Sequence, residues 1–259
     1  MAKKKTKFEI KDWYYLAGPL SLVAFFLMDV IGGFNYPGYD WSGQVIQDLL
    51  SLNSRSFPFA LVFCIIYFLL TVFAAYCIYM FFKNKKLNKL LSRGIKIFLI
   101  GAIVGALSLA VFYQPESGTY AKVKDQGIIA MKDEVVDSES DTQETQEVFD
   151  ADATMENLAT VGEMVAHPLI IGNIALTFAS LVLSIIAFIF MIIGGFKKQG
   201  KLFFAAVSIF CLILVLYSIV SFLVMDTSIM GLNARFASYS IVLFMAFLGS
   251  YIYITDIKE

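Results

Sequence analysis

The chain has 259 residues, a formal net charge of −1, and a composition that is 59% hydrophobic and only 16% charged, with 25 Phe and 13 Tyr. A water-soluble domain of this length carries about a quarter charged residues, so the balance excludes an ordinary soluble fold. Six apolar stretches make up most of the sequence, at roughly 13–34, 58–82, 95–113, 167–195, 202–225 and 236–255. Each has the length of about 20 residues that a helix needs to cross a bilayer. None alternates with period two, and only helices and closed barrels satisfy their backbones in lipid. The expected class is therefore all-α: one polytopic transmembrane bundle of six helices, a single domain spanning 1–259.

The N-terminal segment carries Lys3, Lys4, Lys5, Lys7 and Lys11 ahead of span one. That span is too long for the apolar core of a signal peptide and leads into Tyr-Pro-Gly-Tyr rather than a small-residue cleavage site, so it reads as an anchor. Asp29 lies about 16 residues into it, where a carboxylate costs a few kcal/mol unless it is paired, protonated or wet.

The first connection opens with Tyr36-Pro37-Gly38-Tyr39, a turn signal. Asp40–Leu52 then reads as a short amphipathic helix, with Trp41, Val45, Leu49 and Leu52 on one face. Asp40, Gln44, Gln47, Asp48 and Ser51 share another face. Asp40 suits the N-cap, and Pro58 opens span two, where its missing N–H is harmless. Arg55 stands just before it.

Between spans two and three lie Lys83, Lys85, Lys86, Lys89, Arg93 and Lys96, in a tight basic hairpin. Span three contains Gly101-Ala-Ile-Val-Gly105, whose default role is close helix packing. It also offers a face for homo-oligomerisation. The loop 114–166 holds 13 of the 21 acidic residues against three Lys. Its centre lacks the apolar residues to offset ordering entropy, so it is expected to be mobile.

His167, the single histidine, opens span four. After span four come Lys197, Lys198 and Lys201. Asp226 closes span five, and Arg235 opens span six. Fifteen of the 20 basic residues fall on the side of the termini and the two hairpins, and five on the other. Basic residues concentrate on the cytoplasmic side, so both termini are expected in the cytoplasm and the chain in the cell membrane. Cys64, Cys77 and Cys211 sit within spans, which leaves no external disulfide framework. One histidine does not make a Cys/His zinc site.

Seven charged groups thus reach one rim: Asp29, Asp40, Asp48, Arg55, His167, Asp226 and Arg235, with Gln44 beside them. They form a candidate ligand-binding or structural polar rim. Arg235 is expected to pair with Asp48 or Asp29, because a planar guanidinium holds a carboxylate with two hydrogen bonds.

These residues also carry a resemblance. Tyr-Pro-Gly-Tyr-Asp-Trp-Ser-Gly-Gln-Val-Ile-Gln-Asp-Leu (36–49), Gln-Pro-Glu (114–116), His167 and Gly-Leu-Asn-Ala-Arg (231–235) resemble the signatures of the prokaryotic six-span family defined as domain of unknown function 998. Gln47 stands where that family usually has Ser, and the third loop is longer and more acidic. The resemblance implies the six-span fold and a membrane location, and it brings no activity with it. A more distant analogy links the chain to the DRAM/Sfk-type six-span proteins and lipid handling.

Three functional classes compete. A non-catalytic membrane protein with an outward-facing polar pocket for a lipid or small ligand fits the clustered polar groups best. It needs no cofactor, no catalytic residue, no metal and no nucleic-acid partner. A small-solute transporter is the alternative, and an intramembrane hydrolase is the second alternative.

Overall fold

A computed structural model describes residues 14–51, 54–84, 87–111, 168–197, 202–224 and 229–256. The expectations for the N-terminal lysines, the acidic loop 114–166, His167 and Asp226 fall outside the described residues. Six long helices account for nearly everything else, and no strand occurs among the described residues. They are α1 (Ala17–Asn35), α2 (Phe57–Asn84), α3 (Lys89–Val111), α4 (Pro168–Gly195), α5 (Leu202–Val224) and α6 (Met230–Asp256). Pro168 begins α4, a position where no backbone N–H is needed. All six are long and apolar enough to cross a membrane.

Two helices start earlier than the apolar pattern suggests. α3 begins at Lys89 rather than 95, because the helix continues through its basic end. Asn88 Oδ1 accepts from the Leu90 amide at 3.0 Å, and Lys96 lies over the Tyr79 ring at 5.9 Å. α6 begins at Met230 rather than 236, which puts Arg235 more than a turn inside the helix. Charge marks where hydrocarbon ends, and hydrogen bonding marks where a helix ends; here the two do not coincide.

Each helix packs on its neighbour in sequence, and α6 closes the ring onto α1. α6 also reaches α2 and α3, so the last span lies closest to the centre. The connections α1–α2, α3–α4 and α5–α6 share one end of the bundle, called here the first-loop end. The two short connections share the hairpin end.

The interior has two apolar clusters. Towards the hairpin end, Phe98, Phe188 and Phe244 meet with ring centroids 4.8–5.7 Å apart, among Leu91, Ile95 and Met191. Towards the first-loop end, Phe25, Met28, Cys64, Tyr67 and Val242 pack with Ile46, Leu49 and Leu50 from the first loop. The outside is apolar as well. On α2, Phe59, Val62, Ile66, Leu69, Phe73, Tyr76 and Met80 are all exposed, at alternating steps of three and four. Such a stripe on a soluble helix would be polar; here it fits a surface bathed in lipid.

The α3–α4 seam is the most extensive in the bundle. Ser180 Oγ donates to the Gly101 carbonyl at 2.8 Å, and a methyl added at Gly105 would lie 2.6 Å from Ser180 Oγ. The face carrying Gly101 and Gly105 is therefore covered by α4 of the same chain. Further along, Ser108 Oγ and Thr177 Oγ1 share a hydrogen bond of 2.8 Å. Asn173 Nδ2 donates to the Ser108 carbonyl at 3.1 Å. The three free cysteines are buried, as apolar packing groups.

Candidate functional site

Asp29 and Arg235 lie at matching depths. Asp29 is six residues from the end of α1 and Arg235 five from the start of α6, each roughly 8–9 Å below the first-loop end at 1.5 Å per residue. Both are buried. Arg235 Nη2 donates to Asp29 Oδ1 at 2.9 Å and Nε to Oδ2 at 3.1 Å, a two-pronged pair. Tyr239, one turn further along α6, donates its hydroxyl to Asp29 Oδ2 at 3.0 Å.

The remaining donors of Arg235 go to the first loop. Nη1 binds the Trp41 carbonyl at 2.7 Å and the Gln44 carbonyl at 2.9 Å. The second Nη2 proton goes to Tyr39 Oη at 2.6 Å. All five N–H groups of the guanidinium are thereby engaged. The Tyr39 and Trp41 rings lie 5.5 and 5.3 Å from the guanidinium carbon, close enough for cation–π attraction. Tyr39 Oη in turn donates a hydrogen bond to the Val45 carbonyl at 3.1 Å. Burial pushes the Tyr39 phenol well up, against the opposing pull of Arg235, so it stays neutral and able to donate.

This clamp explains the shape of the first loop. In an α-helix starting near Asp40, the carbonyls of residues 41 and 44 would accept from the amides of 45 and 48. Arg235 takes both carbonyls, and the Asp48 amide turns instead to the Val45 carbonyl at 3.1 Å. The helical element of this loop is accordingly a five-residue 3-10 helix, Ile46–Leu50. It is also sunk into the bundle rather than laid on its surface, since Ile46, Asp48, Leu49 and Leu50 are all buried.

Asp40 is exposed and closes a turn instead of capping a helix. Its Oδ1 accepts from the Ser42 amide at 2.9 Å and the Ser42 hydroxyl at 2.6 Å. Those bonds, the hydroxyl's first, hold its carboxyl below the usual carboxylate range. Gln44 Oε1 accepts from the Asp40 amide at 2.8 Å.

The Gly231–Arg235 stretch meets the loop from the other side. The Leu232 amide donates to the Ser42 carbonyl at 2.9 Å. A Cβ on Gly231 would run into the Gln44 backbone, so only glycine allows this approach. Ser218 on α5 donates to the Asn233 carbonyl.

Of the expected rim, the structure thus brings together Asp29, Gln44 and Arg235, with Asp40 held in the same loop through Gln44. Arg235 pairs with Asp29 rather than with Asp48. Asp48 is buried nearby, its charge raising the Tyr39 phenol further. Arg55 is exposed beyond the cluster. Tyr239 belongs to the site without having been singled out in the sequence, and so does Tyr39, which read there only as part of a turn and a signature. Their hydroxyls matter only once α1, α6 and the first loop are side by side.

Beneath the 3-10 helix lies a cavity of about 70 Å³. Gln47 of the first loop reaches it, together with Tyr67 of α2, Ser108 of α3, Thr177 and Ser180 of α4, and Ser238 of α6. Phe25, Leu109, Leu181, Ile241 and Val242 supply the apolar part of the wall. No carboxylate, lysine, arginine or histidine lines it among the described residues. Towards the hairpin end lie the Phe98, Phe188 and Phe244 rings, four residues beyond Ala102 on α3, seven beyond Leu181 on α4 and two beyond Val242 on α6. Among the described residues, no group of three His, Cys, Asp or Glu is placed to hold a metal ion.

Fold and lipid-facing surface together define an integral, multi-pass membrane protein. No family model, curated protein or solved structure matches the chain.

Proposed function

We propose that this is a non-catalytic protein of the cell membrane, with both termini cytoplasmic, whose first external loop roofs a binding cavity for a lipid or small ligand. The observation that carries the reading is the cavity itself, a mixed polar and apolar hollow under a clamped loop. Its polar lining among the described residues is hydroxyls and one amide, with no carboxylate or imidazole among them to act as a base, which favours binding over catalysis. The three-ring cluster beneath it favours a dead-ended pocket over a transport path. The orientation rests on the basic bias towards the hairpin end. We also propose membership of domain of unknown function 998, supported by two of its signatures, 36–49 and 231–235, meeting in one hydrogen-bonded cluster around Arg235.

Two experiments test this. In intact cells, an impermeant thiol reagent should label a cysteine placed at Ser138 and spare one at Gln199; labelling at Gln199 would reverse the orientation. Native mass spectrometry of the protein released from lipid nanodiscs should show a bound small amphiphile that is lost in Ser238→Leu, which fills the cavity. A spectrum with no adduct in either protein would remove the binding reading.

A further inference from the structure

We propose that the cavity takes the neutral, hydroxyl-bearing head of a single-chain amphiphile, of which a monoacylglycerol is the simplest, and that the Gln47 amide selects it. This rests on the binding reading above and names its ligand class.

Charge supplies the first argument. A phosphate or carboxylate entering this hollow would meet no cation among the described lining residues. Arg235, a buried cation of the bundle, has all five donors engaged elsewhere. Burying an ion without a partner is strongly unfavourable, so the ligand's head is neutral.

Hydrogen bonding supplies the second. Ser108, Thr177 and Ser180 already use their hydroxyls across the α3–α4 seam. Gln47 of the first loop and Ser238 of α6 both line the cavity, and neither side chain has a hydrogen-bond partner among the described residues. Together they offer an amide with two donors and one acceptor, plus a hydroxyl that does both. A vicinal pair of alcohols matches that set, since each alcohol both donates and accepts. Apolar wall residues on either side suit the carbon atoms that carry such hydroxyls.

Size supplies the third. At about 70 Å³, where holding one water takes about 10–15 Å³ on that measure, the hollow admits a small head group and leaves no room for a long acyl chain. Only the head enters, and the chain stays among the helices and lipid.

The test uses the full-length protein in phosphatidylcholine nanodiscs, titrated with monoolein or with oleoyl lysophosphatidylglycerol and read by native mass spectrometry. Monoolein should bind the wild type at one equivalent, at least tenfold more tightly than the anionic lysolipid. Gln47→Leu should weaken monoolein about three- to tenfold, the range for losing one neutral hydrogen bond, with an unchanged melting temperature. Should Gln47→Leu not fold, the isosteric Gln47→Glu serves, and the added charge should weaken monoolein at least as much. Equal binding of both lipids, abolished by Ser238→Leu, would overturn the ligand class and leave the cavity reading intact. Unaltered monoolein affinity in a folded Gln47 variant would overturn the role of Gln47. Failure of both amphiphiles to bind would overturn both readings, leaving a cavity that holds only water.

Discussion

Arg235 does three things with one planar group. It neutralises Asp29 inside the bundle, fixes Tyr39, and takes two carbonyls from the first loop. Removing it strands a buried carboxylate and two carbonyls together, so Arg235→Ala should destabilise the protein by about 3–5 kcal/mol. Arg235→Lys should recover little of that, because an ammonium has three donors and no fork. Reversible unfolding in bicelles is the measurement. A double-mutant cycle with Asp29→Asn should show strong coupling, and additive effects would reduce Arg235 to an interfacial residue. The apolar pattern and the lone cation at the start of span six pointed to this residue and to Asp29 as one of two partners. They could not choose between Asp29 and Asp48, because that choice depends on how deep each acid sits once the loop folds inward.

The first loop shows where local reading stops. Its spacing of Trp41, Val45 and Leu49 describes an amphipathic helix well, and an isolated peptide would have no reason to do otherwise. The competing acceptor-seeking group lies on α6, far along the chain, and it converts the first turn into an irregular one. Gln47 slipped through for the same reason: its position on a polar helical face says solvent, whereas the 3-10 geometry turns it into the bundle. Gly231 is the counterpart on α6. Gly231→Ala should push the loop away from Arg235 and cost about 1–3 kcal/mol, the usual range for a forced overpacking. Faster amide exchange at Leu232 should accompany it, since that amide is tied to Ser42. Unchanged exchange at Leu232 would mean that the loop accommodates the methyl without moving.

At the scale of the whole molecule, the six-helix architecture was legible from span lengths alone, and the pairing of spans two with three and four with five from their short connections. Helix starts were not, because α3 and α6 extend past the hydrocarbon limit that hydropathy detects. The cavity was not legible either. Five helices and a loop line it, with small hydroxyl residues that in sequence look like ordinary packing positions in a span.

The Asp29–Arg235 pair joins residues 206 positions apart, the first span to the last. During synthesis, α1 enters the membrane with its carboxylate unmatched and stays so until α6 has been made. Synthesis of α6 is thus the event that neutralises α1, and a product lacking α6 carries an unpaired acid. A chain ended after Val224 should therefore be cleared rapidly from cells, and Asp29→Leu in that same truncation should prolong its lifetime. Pulse-chase decay curves for the two would separate them. Identical curves would show that nothing in the membrane reads the unpaired acid.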